Sequence, residues 1–259
     1  MIHRIHTPLI LACRADWHAR AYTLAMAEHA YPVRINKYLA TEQYCTRRAA
    51  DDLVAAGRVL INGTPAALGT MVYEGDTVEV RFRPPKRRYF AYHKPRGVIT
   101  HSPQEDEEDI AALVQMPGLF PIGRLDKDSY GLIILTDDGR ITDALLNPER
   151  VHEKEYEVST RDALPSSFKR DMERGVDIGD YKTKPCTVEM LGKRKFSITL
   201  TEGKKHQIRR MCGAFGMSAI ELKRVRIMNI ELGSLKPGEL RPLKGTELAV
   251  FLQTLGIKR

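Results

Sequence analysis

The segment Pro121-Ile-Gly-Arg-Leu-Asp-Lys-Asp-Ser-Tyr-Gly-Leu-Ile-Ile-Leu-Thr-Asp-Asp-Gly139 concentrates more reactive chemistry than any other stretch of the chain. A charged tract sits between a glycine-bearing turn and an apolar strand. In extended backbone Arg124 and Asp126 project to one side while Leu125 points to the other, into a core. One carboxylate is thereby held beside a cation at a strand boundary. An ordinary aspartate is ionised at neutral pH. It can take a proton from carbon or attack carbon as a nucleophile. Spacing alone favours the plainer reading, a structural ion pair. A second cluster lies near residue 209. Ile208, Met211, Cys212 and Phe215 keep the helical spacing that buries one face. His206, Arg209 and Arg210 then share another face. A guanidinium from that face can fork onto a carboxylate and keep it ionised. Tyr156 lies in a strand-like stretch, where a core tyrosine is ordinary.

The elements that must carry these groups alternate over residues 89–259. Residues 89–93, 131–135, 154–159 and 196–200 read as strands, and 141–146, 165–175 and 206–215 as helices. That is a mixed α+β domain without a regular βαβ wind. No G-x-G-x-x-G or P-loop spacing occurs, which disfavours nucleotide-cofactor folds. Upstream, Ile35, Tyr38 and Leu39 keep helical spacing. Thr46 can cap a second helix with an Ala50, Leu53 and Val54 stripe, and Gly57 suits its end. Asn62-Gly63 signals a tight hairpin, Glu74-Gly75-Asp76 a further turn, and residues 77–82 a strand. Two helices followed by short strands thus form a small unit over residues 33–82. Residues 83–88, Arg-Pro-Pro-Lys-Arg-Arg, read as a basic interdomain linker.

The 259-residue chain holds 41 Lys and Arg against 33 Asp and Glu, a net charge of +8. This excess suits a polyanion such as nucleic acid, although a soluble enzyme with a basic surface would show it too. At 42% hydrophobic residues the chain can build cores, which excludes wholesale disorder. No run approaches the ~20 apolar residues of a membrane span. Cys13, Cys45, Cys186 and Cys212 are widely spaced and form no C-x-x-C pair. They argue against a zinc ribbon and for thiols in a reducing cytoplasm. Pro8 to Cys13 is apolar after a basic start, but it is shorter than a secretory core of ~7–15 residues, and Arg14 and Asp16 follow at once. Residues 1–32 therefore read as an extension, with Met26 an alternative start.

The small unit, through Arg34-Ile-Asn-Lys-Tyr-Leu-Ala, Cys45-Thr-Arg-Arg-Ala-Ala-Asp-Asp-Leu-Val and Gly57-Arg-Val-Leu-Ile-Asn-Gly, resembles the S4 RNA-binding domain. The resemblance implies that Lys37, Arg47, Arg48 and Arg58 face structured RNA. Gly123-Arg-Leu-Asp-Lys-Asp-Ser129 with Gly131-Leu132 resembles the catalytic motif of one group of pseudouridine synthases. That group holds the A type, for small-ribosomal-subunit RNA, and the B and F types, for RNA of the large one. His93-Lys-Pro-Arg-Gly-Val98, Glu153-Lys-Glu-Tyr156 and Thr201-Glu-Gly-Lys-Lys-His-Gln-Ile-Arg-Arg-Met211 are similar to the family's other motifs, in the same order. His152 to Tyr156 and Arg226 to Asn229 look most like the F type, which acts on 23S ribosomal RNA.

That resemblance implies a mostly antiparallel catalytic sheet, no cofactor, no metal, and isomerisation of uridine by base flipping. Asp126 becomes the catalytic carboxylate. Tyr156 becomes a ring that stacks on uracil, Arg209 the basic partner of Asp126, and Leu222 the floor of the pocket beside Arg124. Lys94, Arg96, Lys204, Lys205, His206 and Arg210 join the expected RNA contacts. The implied protein is a cytoplasmic monomer whose partner is ribosomal RNA, most simply 23S. Alternatives are a synthase acting on 16S or another RNA, and a non-catalytic S4-type assembly factor. A metal-dependent nuclease would need several converging carboxylates.

Overall fold

The structure, a computed structural model, describes residues 30–81, 86–102, 107–147 and 150–257. The expectations for residues 1–29, including Cys13 and the Met26 start, lie outside the described residues, as do the linker residues 83–85. The chain divides into two compact units, Met1–Lys86 and Arg87–Arg259.

The first unit contains β1 (Val33–Arg34), α1 (Ile35–Thr41), α2 (Arg47–Ala55), β2 (Val59–Ile61), β3 (Thr64–Pro65), β4 (Met71–Val72) and β5 (Val78–Val80). The Thr46 hydroxyl accepts from the Ala49 N–H and caps α2. Gly57, at φ +65°, ends that helix in the left-handed conformation. Ala50, Leu53 and Val54 are buried with Ile35, Leu39, Val59 and Val72 in one core. Asn62 and Gly63 both have positive φ, and Ile61 pairs with Thr64 across them. This is the mirror-image turn that matches strand twist.

The second unit runs β6 (Tyr89–Lys94), α3 (Ile110–Val114), β7 (Phe120–Ile122), β8 (Tyr130–Thr136), α4 (Arg140–Leu146), β9 (Lys154–Thr160), α5 (Phe168–Glu173), β10 (Thr187–Gly192), β11 (Lys195–Leu200), α6 (Gln207–Ala214), β12 (Ala219–Ile227), β13 (Ile230–Glu231), β14 (Leu240–Pro242) and α7 (Gly245–Thr254). The sheet order is β10-β11-β9-β12-β8-β6-β14, with β13 on β12 and β7 on β8. All pairings are antiparallel except β12 with β8. Arg87 and Arg88, expected in the linker, belong to this unit. The Asp137 carboxylate takes both the main-chain N–H and the guanidinium of Arg88, and the Asp137 carbonyl accepts from Arg87.

The apolar run Leu132-Ile-Ile-Leu135 is continuous because β8 is covered on both faces. Leu132 and Ile134 join Ala91, Ile141, Leu145 and Phe251 in one core, whereas Ile133 and Leu135 join Tyr92, Val98 and Ile110 in another. A third core gathers Phe168, Phe196, Ile208, Met211 and Leu222 under α5 and α6. Strands β8 and β12 meet through only Lys223↔Tyr130 and Arg224↔Gly131. The sheet therefore splits near its middle, and a cleft opens there. No helix among the described residues is long and apolar enough to cross a membrane.

Candidate active site

Asp126 sits on the loop between β7 and β8, and that loop is braced through its carbonyls. The Thr100 hydroxyl donates to the Leu125 carbonyl at 2.8 Å and accepts from the Leu125 N–H at 3.1 Å. The Ser129 N–H closes a turn on the Asp126 carbonyl, and the Gly97 N–H donates to the Lys127 carbonyl. Three cations complete the set. Arg224 Nη1 donates to the Arg124 carbonyl at 3.5 Å, Arg209 Nη2 to that of Asp128 at 3.4 Å, and Lys94 Nζ to that of Ser129 at 2.8 Å. Every main-chain carbonyl from Arg124 to Ser129 thus accepts a hydrogen bond. Leu125 is buried and Asp126 partly exposed, as alternation requires.

The Asp126 carboxylate opens onto a cleft of about 520 Å³, lined by Arg124, Tyr156, His206, Leu222 and Arg224 among others. That volume admits a nucleobase with its sugar. His206 Nε2 lies 3.5 Å from Asp126 Oδ1. His206 itself stands at φ +52° ahead of α6, which turns its ring toward the aspartate loop. The expected fork from Arg209 onto Asp126 is not made. Arg209 Nη1 instead donates to the Ala219 carbonyl at 2.6 Å, where β12 begins beside α6. The guanidinium positions the aspartate through the loop backbone, since both its bonds go to carbonyls.

Lys94 departs furthest from expectation. It is 0% exposed and cannot reach an RNA phosphate. The cause is its strand: β6 lies between β8 and β14. Its ammonium is turned to the carbonyls of Pro95 and Ser129. Burial pushes the amine down to about 8; the Asp126 carboxylate opposes this and the Arg224 cation adds to it. Arg210 also differs. It donates to the Ile178 carbonyl and pairs with Asp180, so its guanidinium is committed within the protein. Arg96, Lys204, Lys205 and His206 are exposed. The Lys204 ammonium lies 4.4 Å from the Tyr181 ring centre. Glu202 braces this lip by accepting from the Tyr181 hydroxyl, the Lys184 N–H and the Gln207 amide. In the first unit Lys37, Arg47, Arg48 and Arg58 are all exposed.

The cleft wall comes from facing strands. Tyr156 on β9 pairs with Arg224 on β12, and Val158 with Leu222. Directly opposite residues share a face, so Tyr156, Leu222 and Arg224 look the same way. Lys154 lines the cleft too; burial lowers its amine and the Arg224 cation lowers it further. Arg224, Ser129, Thr100 and Lys154 are the residues that sequence reasoning missed. The period-2 signal of β12 was the available clue, but two register shifts break it and an arginine occupies an inward position. Among the described residues no group of His, Cys, Asp and Glu is arranged to hold a metal.

The family model described as RNA pseudouridylate synthase matches residues 88–214, and that of the S4 domain residues 33–78. The dual-specificity RNA pseudouridine synthase RluF of Salmonella typhi is 40% identical over 222 residues, covering 83% of this chain and 77% of that protein. Its Escherichia coli K12 counterpart is 39% identical over the same shares. The ribosomal large subunit pseudouridine synthase B of Bacillus subtilis is 33% identical, covering 83% of this chain and 93% of its own. A crystal structure of a pseudouridylate synthase aligns with a TM-score of 0.62 at 28% identity, over 86% of this chain and 99% of that one. With a braced aspartate loop, a base-sized cleft and this likeness along most of its length, the chain belongs to the RNA pseudouridine synthase family and carries an N-terminal S4 domain.

Proposed function

We propose that this synthase isomerises a uridine of 23S ribosomal RNA, with Asp126 as its catalytic carboxylate. The observation that carries the reading is the Asp126 loop, whose carbonyls from Arg124 to Ser129 all accept hydrogen bonds at the mouth of a cleft large enough for a nucleotide. The relative named for the large ribosomal subunit supports the choice of RNA. Relatives named as dual-specificity support testing a second RNA, and a transfer RNA is the one chosen.

The target base leaves its stack at a cost of a few kcal/mol. Residues 33–82 supply binding energy through phosphate contacts that position without specifying. A loop or bulge supplies the sequence choice, because side chains cannot read the A-form major groove. Asp126 removes the ribose C2′ proton, the C2′ pair forms the C1′–C2′ double bond, and the N1–C1′ bond breaks with its electrons on uracil. The base turns, carbon 5 bonds C1′, and Asp126 returns the proton to C2′. Carbon 5 then loses its proton, a step we assign to Tyr156 with its ring stacked on uracil. N1 gains a proton, so the product is an isomer and needs no cofactor. The proposal is for a monomer in the cytoplasm.

RNA tritiated at uracil carbon 5 tests this. Wild-type protein should release tritium from 23S RNA in the presence of chelator, and Asp126→Asn should not. Parallel arms with 16S and transfer RNA define the substrate range. Absence of release from 23S RNA rejects the substrate reading. Replacing Arg47 and Arg48 by alanine should weaken RNA binding and flatten its salt dependence, with the logarithmic slope falling by about 1–2.

A further inference from the structure

We infer that Arg224, with Ser129 beside it, holds the uracil after it has been cut from its ribose. Arg224 is 3% exposed and Ser129 1%, and both line the cleft. Arg224 Nη2 and Ser129 Oγ are buried side-chain atoms without a hydrogen-bond partner. Buried donors are almost always paired, so two open ones in a single cleft call for a ligand that completes them. The rest of the guanidinium is anchored. Its Nε donates to the Leu132 carbonyl at 2.6 Å and its Nη1 to that of Arg124 at 3.5 Å. One nitrogen is held rigidly in reserve.

The charge points the same way. Among the described residues, Arg224, Lys154 and Lys94 form no ion pair with a carboxylate, although all three lie in or against the cleft wall. Lys154 feels the Arg224 cation directly. A cleft wall whose cations form no ion pair favours a ligand that carries or develops negative charge. Tyr156 pairs across the strands with Arg224, so a base stacked on that ring presents its edge to the guanidinium.

Uracil becomes such a ligand only during the reaction. Whether Asp126 removes the C2′ proton or attacks C1′, the N1–C1′ electrons depart with the base. The resulting monoanion spreads its charge over O2 and O4. A bond from Nη2 to one of these oxygens therefore strengthens as N1–C1′ breaks, which is the condition for accelerating the step. The ring's own symmetry makes one fixed donor sufficient. Turning uracil about the axis through N3 and C6 exchanges N1 with carbon 5 and O2 with O4. The donor that meets O2 before the turn meets O4 after it. Cytosine would present its amino group in one of the two orientations and leave the guanidinium facing a donor.

This inference rests on uridine isomerisation at the Asp126 cleft, and the controls separate the two. Wild type, Asp126→Asn, Arg224→Gln, Arg224→Lys and Ser129→Ala are compared by single-turnover tritium release from 23S RNA, filter binding and thermal melting. No release by wild type from 23S RNA rejects the 23S reading on which the inference rests, and everything below presumes release. Arg224→Gln should slow release by about 100-fold or more while RNA affinity stays within about threefold. Arg224→Lys, which keeps the charge, should recover at least about tenfold of that loss. Three results overturn the inference. They are an Arg224→Gln rate within about threefold of wild type, equal losses in Arg224→Gln and Arg224→Lys, or a loss confined to RNA affinity. Should Arg224→Gln fail to fold, Ser129→Ala decides. Its hydroxyl gives up no partner, so it should melt as wild type and release tritium about five- to tenfold more slowly, and an unchanged rate overturns the assignment.

Discussion

Gly131→Ala should separate the two halves of the sheet where the cleft depends on their contact. Gly131 has φ +107°, a conformation that L side chains avoid. A Cβ there would sit 2.3 Å from the Arg224 carbonyl oxygen and 2.7 Å from its nitrogen. Ordinary carbon–oxygen contacts lie near ~3.3 Å, so β12 must retreat by about 1 Å. The obstacle is backbone on both sides, and no flexible side chain can give way. Overpacking costs about 1–3 kcal/mol and the forced φ about 1–3 more, for a total of roughly 2–6 kcal/mol. That corresponds to a fall of roughly 5–20 °C in melting temperature for a domain of this size. Arg224 rides on the displaced strand while its guanidinium holds the Arg124 carbonyl. A 1 Å error in a reacting geometry can cost about 100-fold in rate. Thermal melts and single-turnover tritium release measure both. The control is Gly213→Ala in α6, where a Cβ meets nothing within 4 Å. It should be neutral or stabilising by up to about 1 kcal/mol. A Gly131→Ala protein within about 0.5 kcal/mol and threefold in rate of wild type would refute the close-contact account.

Two further perturbations follow from buried charge. Lys94 titrates near 8 in the folded protein against 10.5 for an ordinary lysine. The unfolded chain keeps its proton through that interval and the folded protein does not. The cost of burying this cation is therefore full below pH 8 and is relieved as pH rises toward 10.5, by up to roughly 3 kcal/mol. Wild-type stability minus that of Lys94→Gln should rise across this window. Activity should fall through an apparent pKa of about 8 as the cation beside Asp126 is lost; a flat difference curve would contradict this. Asp138 is 0% exposed and accepts from the Tyr89 hydroxyl at 2.7 Å and from Arg140 at 2.6 and 2.8 Å. Burial raises its carboxyl, but the Arg140 guanidinium and the Tyr89 hydroxyl outweigh that, and the net shift is downward. Its contribution is present above the ordinary carboxyl range and is lost as pH falls through the lowered value. Asp138→Asn should cost about 3–5 kcal/mol in urea unfolding and remove that acid-side slope.

Local signals made much of the architecture legible. Thr46, Gly57 and Asn62-Gly63 each act through their own backbone, so the cap, the helix end and the hairpin could be located from the sequence. Strands at Tyr89–Lys94, Tyr130–Thr136, Lys154–Thr160 and Lys195–Leu200 stood out by apolar content or alternation. The missed elements lack a local signature. Helix α3 spans only Ile110–Val114, and β7 contains a proline. The nine residues of β12 carry two bulges and the inward-facing Arg224. The motif around Asp126 marked the right loop, but the roles of its neighbours could not be read from residue type. Lys94 and Arg209 were assigned as cations that meet anions. In the fold they meet carbonyls, because burial removes phosphate from reach and the loop offers main-chain acceptors.

That difference explains how a single carboxylate can be held in place without being neutralised. A guanidinium clamped on Asp126 itself would orient it but would also stabilise its charge and weaken it as a base. Bonding the carbonyls on either side transfers the orienting work to the backbone, which carries no proton to exchange. The carboxylate keeps His206 Nε2 at 3.5 Å, and the buried Lys94 cation acts on it without forming an ion pair. Fixed positive charge lines the same cleft at Arg224 and Lys154. Positive charge there favours departure of an anionic base, whereas the same charge on Asp126 would favour a resting carboxylate. In the reaction proposed above, the cleft puts its cations where negative charge arrives and braces its aspartate through carbonyls, not through the carboxylate.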